Sequence, residues 1–240
     1  MKIINKLSKK SNNLLGEKIP TIAFLGDSVT QGCFEIYLKT DGNIETYFDK
    51  SCAYHSYLER ILSELFPNVP VNIINAGISG DSATNALIRL ERDVLCHNPD
   101  LTVVCFGLND CFQGIDGISK YTESLGEIFD KLLKNGSEVI FMTPNMMNTK
   151  ISCHIINTPF KDIAQNSMQM QNNGVLSKYI ESAKEVAEKY GIPVCDVYSK
   201  WQKMSENGVD ITELIANKIN HPTREMNRLF SYSLIETMFK

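Results

Sequence analysis

Short apolar runs alternate along this chain with longer stretches of helical periodicity. The runs are Thr21–Leu25, Val71–Ile74, Leu101–Phe106, Val139–Met142 and Pro193–Val197. Each is rich in Val, Ile or Phe and bounded by Gly, Pro or Asn, the pattern of strands buried on both faces of a parallel sheet. Between them, Tyr54, Tyr57, Leu58, Ile61, Leu62 and Leu65 fall at helical spacing. So do the apolar positions of Ala83–Val94, Ile118–Leu132, Val175–Tyr190 and Met226–Met238. Asn135-Gly136 and Gly191 with Pro193 provide stops. This alternation predicts one α/β domain over residues 1–240, a five-stranded parallel sheet with helices on both faces.

Three stretches stand outside the alternation. Met1–Pro20 is Lys- and Asn-rich and reads as a polar lead-in without the apolar region of a signal peptide. Cys33–Ser51 is a polar, aromatic-bearing insertion after the first strand, and Pro144–Asn172 is a long Asn- and Met-rich segment after the fourth. Connections this long are usually functional or carry structure of their own. Both emerge at the carboxyl edge of the strands, where ligands bind in such sheets, and are expected to wall a pocket.

Composition narrows the function classes. With 240 residues, 43% of them hydrophobic, the chain can bury a large core unaided. A net charge of −4 argues against a nucleic-acid partner. No apolar run is long enough to span a membrane. The seven cysteines are odd in number and lack CxxC spacing, and Cys105 and Cys195 sit in strand-like runs. A disulfide framework or zinc site is therefore not expected, and a cytoplasmic location is. His55, His97 and His154 lack metal-ligand spacing, so no metal or organic cofactor is expected. The sequence carries no signal for oligomeric state.

Four groups could carry chemistry. Ser28, in Gly26-Asp27-Ser28, follows the first strand, where its hydroxyl could be exposed at a strand-to-helix turn or simply cap a helix. Gly80 lies where the loop after the second strand enters a helix, its N–H unshielded by a side chain or merely part of a tight turn. Asn109, in Gly107-Leu108-Asn109-Asp110, could offer an amide donor or a turn. His221 precedes Pro222, which suits the start of the final helix. Taken together they supply a nucleophile, two oxyanion donors and a base, the parts acyl transfer requires. Asp27 and Asp110 read as loop organisers.

These blocks, with Ile78-Ser79-Gly80-Asp81 between the first and third, resemble in order and separation those of the SGNH (GDSL-type) hydrolases over residues 21–240. The resemblance implies a flavodoxin-like three-layer α/β/α sandwich. It also implies Ser28 as nucleophile, Gly80 and Asn109 with the Ser28 N–H as oxyanion hole, and His221 as base. The chain departs from the family pattern at Lys218, where members usually carry the Asp that orients the histidine. Lysine cannot accept the imidazole N–H. A backbone carbonyl, the side-chain oxygen of Asn217 or Asn220, or a carboxylate such as Glu213 or Asp210 could replace it, and a Ser28–His221 dyad with a neutral acceptor is the favoured expectation.

The expected activity is hydrolysis of a small acyl ester, such as acetyl on a carbohydrate, with a small-molecule or carbohydrate ester as partner. The alternatives are a weak or inactive relative that binds a glycan, and a flavodoxin-like phosphate or nucleotide binder. Tyr37, Tyr47 and Phe48 could stack on a sugar or pack locally. Met146, Met147, Met168 and Met170 could line an acyl groove or fill core. Trp201 is expected to pack over the sheet edge.

Overall fold

The computed structural model describes residues Met1–Lys240. Its centre is a sheet of five parallel strands: β1 (Thr21–Gly26), β4 (Asn72–Gly77), β5 (Leu101–Cys105), β6 (Glu138–Met142) and β7 (Val194–Cys195). Their spatial order is β4-β1-β5-β6-β7. The chain leaves β1 to one side and returns to its other side, so the crevice at the carboxyl ends of β1 and β5 is the topological switch point of a flavodoxin-like sheet. Ile22–Leu25 and Leu101–Cys105 are buried throughout, as their continuous apolar runs require.

Helices cover the sheet as the periodicity predicted: α3 (Tyr54–Leu65), α4 (Ala83–Asp93), α5 (Ile118–Lys134), α7 (Val175–Lys189) and α9 (Arg224–Met238). Helix α3 packs on α9, while α5 packs between α4 and α7.

The stretches outside the alternation hold structure. The Met1–Pro20 segment is not a lead-in: it forms helix α1 (Lys2–Asn12), with Ile3 and Leu7 fully buried in the main core. The Glu138 carboxylate at the start of β6 accepts the N–H groups of Lys2 at 2.9 Å and Ile3 at 2.6 Å, capping two free donors of the first turn. The Lys10 ammonium, also buried, donates to the Glu17 carbonyl at 2.5 Å. A helix with so few apolar positions gains its stability from packing rather than propensity.

The Cys33–Ser51 insertion is an antiparallel hairpin, β2 (Cys33–Leu38) and β3 (Ile44–Phe48), which lies outside the main sheet. In Pro144–Asn172 the first residues are buried, and the segment ends in α6 (Lys161–Asn172). Ile155, Phe160 and Ala164 form a small cluster with Ile219, against which Ile36 of the hairpin packs. Met146 and Met147 are core, not groove. Helix α8 (Val197–Glu206) begins directly after β7, with the Asp196 carboxylate accepting the Ser199 N–H at 3.0 Å. Its Trp201 is fully buried in the core.

Because Leu7 is fully buried, Leu7→Ala is expected to cost about 2–5 kcal/mol of stability. The urea midpoint of the variant checks this; a genuine lead-in would show no change.

Candidate active site

Strand β1 runs into a four-residue helix, α2 (Ser28–Gln31), through Asp27, whose carboxylate accepts the Val29 N–H at 2.9 Å. Ser28 opens this helix, buried above the sheet edge. The helix seats closely because β4 ends in glycine: a Cβ on Gly77 would fall 2.3 Å from the Gln31 nitrogen. Thr30 is held from α3, its hydroxyl 2.8 Å from the Tyr54 hydroxyl and its carbonyl 3.2 Å from His55 Nε2.

The loop after β4 is tied to α2 and β1. The Ser79 N–H donates to Gln31 Oε1 at 2.7 Å, and the Ile78 N–H to the Gly26 carbonyl at 3.1 Å. Gly80 is exposed at φ +77°, a conformation that disfavours a side chain. Neither its N–H nor that of Ser28 has an acceptor within the protein. The Asn109 amide, after β5, donates one hydrogen to the Asp81 carbonyl at 2.8 Å, which leaves the second free. Asp110 accepts the N–H groups of Ala83 at 2.9 Å and Gly107 at 3.0 Å, joining the β4 and β5 loops. Asp27 and Asp110 are thus loop organisers in this geometry.

Arg89, which the sequence did not single out, binds these loops from beneath. Its buried guanidinium donates to the Ala76 carbonyl at 2.7 Å, the Gly26 carbonyl at 3.1 Å and the Asp81 carboxylate at 2.8 Å. One cation therefore holds the ends of β1 and β4 and the loop that carries Gly80. The available signal was an arginine on the apolar face of α4, beside Ala86 and Leu90.

His221 reaches Ser28 from the far end of the chain: its Nε2 lies 2.9 Å from Ser28 Oγ. Its Nδ1 lies 3.1 Å from the backbone carbonyl of Phe34 on the hairpin. A carbonyl only accepts, so Nδ1 carries the proton and the Nε2 lone pair faces the serine hydroxyl. Burial lowers the imidazole pKa to about 4, a fall opposed by the Phe34 carbonyl and the nearby Glu35 carboxylate. The ring is neutral around pH 7 and able to accept a proton.

The acceptor is therefore the first of the three candidates. Lys218 turns away at φ +59°, its ammonium 2.8 Å from the Glu213 carboxylate. Asp210 pairs with Lys150. Asn217 holds the backbone of the turn and not the imidazole: its Oδ1 accepts the N–H groups of Ile219, Asn220 and His221 at 2.9–3.0 Å. The Pro144–Asn172 segment braces the same turn, with Asn145 Nδ2 donating to the Asn220 carbonyl at 2.8 Å and the Asn148 N–H to the Ile219 carbonyl at 2.9 Å.

Beside Asn109 opens a polar cleft of about 500 Å³, bordered by Ser82, Thr84, Asn85, Gln113 and Lys120, with a single hydrophobic residue in its lining. Tyr37, Tyr47 and Phe48 are exposed on the hairpin.

The family model of the GDSL-like lipase/acylhydrolase family matches residues 24–229. An acetylxylan esterase of Geobacillus stearothermophilus is 29% identical over 101 residues, covering 42% of this chain and 43% of that protein. An arylesterase of Vibrio mimicus is 30% identical over 98 residues, covering 38% of this chain and 48% of that protein. The chain thus aligns with less than half the length of either relative. In fold it is similar to the crystal structure of an acetylxylan esterase from Geobacillus stearothermophilus, with a TM-score of 0.67 at 18% identity over 92% of this chain and 96% of the other. It is also similar to a lipase/acylhydrolase from Enterococcus faecalis, with a TM-score of 0.66 at 22% identity over 90% of this chain and 94% of the other.

The buried carboxylate behind Ser28 generates a stability prediction. Burial, abetted by Asp110 and Asp81 and opposed by the Val29 N–H, raises the Asp27 pKa from 3.8 to about 7. Between these values the folded chain holds a proton that the unfolded chain has lost, so stability falls as pH rises through that window. Asp27→Asn keeps the cap oxygen without the charge. Its thermal midpoint is expected to exceed wild type at pH 8, by at most roughly 4 kcal/mol in stability, and to converge with it near pH 4.

Proposed function

The chain belongs to the GDSL-like lipase/acylhydrolase family, and from that premise we propose that it is a serine ester hydrolase working through a Ser28–His221 dyad. The observation that carries this reading is the contact of His221 Nε2 with Ser28 Oγ at 2.9 Å, with the imidazole held in the tautomer that accepts the serine proton.

In the first half-reaction Nε2 takes the hydroxyl proton as Oγ attacks the ester carbonyl. The resulting oxyanion is met by the Ser28 N–H, the Gly80 N–H and the free hydrogen of the Asn109 amide. Collapse of the intermediate expels the alcohol, which takes the proton from Nε2, and leaves the acyl group on Ser28. In the second half water attacks the acyl-enzyme, Nε2 again accepts and returns a proton, and the acid departs with Ser28 restored. Nδ1 keeps its hydrogen throughout, directed at the Phe34 carbonyl. In a triad whose carboxylate is replaced by an amide, the loss of about 10⁴ reflects the wrong tautomer. Here the tautomer is preserved, so only the electrostatic support of a carboxylate is reduced. No step draws on a metal or an organic cofactor.

The substrate read from these features is a small acyl ester of a carbohydrate. A cleft that Asn109 lines, but Ser28, Gly80 and His221 do not, carries hydroxyl, amide and charged groups suited to a polyol, and Met146 and Met147 are committed to the core instead of an acyl groove. The similarity to an acetylxylan esterase points the same way.

A fluorophosphonate probe is expected to label Ser28 and no other residue, as located by mass spectrometry. Wild type is expected to release p-nitrophenol from its acetate ester, and Ser28→Ala and His221→Ala to lose that release. Asn109→Ala should keep a fraction, falling about 10²–10³ in kcat, the worth of one oxyanion donor. The acid limb of kcat/KM should lie near pH 4, where His221 protonates. Equal release by wild type and Ser28→Ala would overturn the reading.

A further inference from the structure

The acceptor for His221 comes from a hairpin outside the main sheet, so something must fix that hairpin against α9. The structure places Arg224 there, three residues after His221. Its guanidinium donates to Glu35 Oε1 at 2.6 Å and Oε2 at 3.1 Å on β2, and to Asp49 Oδ2 at 3.0 Å just beyond β3. The same group lies over the Phe34 ring, 4.4 Å from its centroid, and over Tyr47 at 5.5 Å. It thus holds both strands of the hairpin and the side chain of the residue whose carbonyl meets Nδ1. The base of the hairpin is closed by the Asp49 N–H on the Gly32 carbonyl at 2.8 Å, directly after α2.

We propose that Arg224 is a positioning residue for His221: through an ion cluster with Glu35 and Asp49 it clamps the β2–β3 hairpin so that the Phe34 carbonyl serves as the imidazole acceptor. Two carboxylates and one guanidinium leave that cluster with a net charge of −1. Glu35 is the member whose field reaches the imidazole and favours its protonated form. Arg224 and Asp49 face Glu35 from α9 and from the end of β3, while Lys218 is drawn off to Glu213. The forked, planar guanidinium suits a site with a bidentate carboxylate, a second carboxylate and an aromatic face, which a point-charge ammonium does not satisfy together. This inference rests on the Ser28–His221 reading and adds the group that keeps the dyad aligned.

The test combines kinetics with ¹⁵N-histidine NMR on the full chain. Arg224→Ala is expected to lower kcat on p-nitrophenyl acetate about tenfold to a hundredfold, the range for a reacting group displaced by up to an ångström. KM should stay within about twofold, since the residue does not touch substrate. Arg224→Lys should fall between the two. Glu35→Gln retains an oxygen acceptor for Arg224 and removes the charge; it should lower the His221 pKa read by NMR and move the acid limb of kcat/KM to lower pH. In wild type, NMR should report the Nδ1–H tautomer of His221, and in Arg224→Ala a mixture of tautomers. Full kcat in Arg224→Ala, a change confined to KM, or an unaltered tautomer and pKa in the two charge-removing variants would each overturn the clamp. If wild type fails to hydrolyse esters and Ser28 goes unlabelled, the dyad reading falls by itself, and the NMR comparison still decides whether Arg224 holds the imidazole.

Discussion

The contact between His221 Nε2 and Ser28 Oγ joins groups 193 residues apart. Each end has to be placed independently to within hydrogen-bond tolerance, and the surrounding structure meets that demand twice over. On the serine side, a glycine at the end of β4 lets α2 seat closely, Tyr54 and His55 fix Thr30, and Arg89 ties the ends of β1 and β4 together. On the histidine side, Asn217 gathers three consecutive N–H groups, and Asn145 and Asn148 anchor the turn that presents the imidazole.

That placement conflicts with the preferences of the charged groups behind it. Asp27 and Asp110 are buried near each other and near Asp81, and burial raises the pKa values of the first two to about 7 and about 6. Arg89 sits against Asp81 and leaves the cluster of carboxylates under-neutralised. At the loop ends these carboxylates accept backbone N–H groups, that of Val29 on Asp27 and those of Ala83 and Gly107 on Asp110, which offsets part of the cost of burying them. The His221 ring is held neutral by the same burial, the protonation state that the proposed general base requires at rest.

The hairpin and the segment from Pro144 to Asn172 have a joint role. Ile36 from the first packs against the cluster that Ile155, Phe160 and Ala164 from the second form with Ile219, so the two insertions and the histidine turn share one apolar contact. The hairpin also supplies the Phe34 carbonyl. A carboxylate on the histidine's own loop would make that outlying element dispensable; with Lys218 in its place, the imidazole depends on a distant strand and on the contacts that dock it.

The amino-acid sequence alone determined the five strands, the helices that cover them and the four blocks that contribute Ser28, Gly80, Asn109 and His221. Each of these is a local signal: a run of buried residues, a helical period, or a short loop at a strand end. It did not disclose α1, where a few apolar positions are hidden among lysines and asparagines and only packing against the core makes a helix. Nor did it disclose α8, whose first residue, Val197, ends the run Pro193–Val197 that reads as the fifth strand. The hairpin read as an irregular insertion because it pairs only with itself. The group that orients His221 was left open between a carbonyl, an amide and a carboxylate, and tertiary structure alone chose the first. Every residue carries a backbone carbonyl, so its use as an acceptor leaves no mark in the sequence and is decided only by what the fold brings beside it.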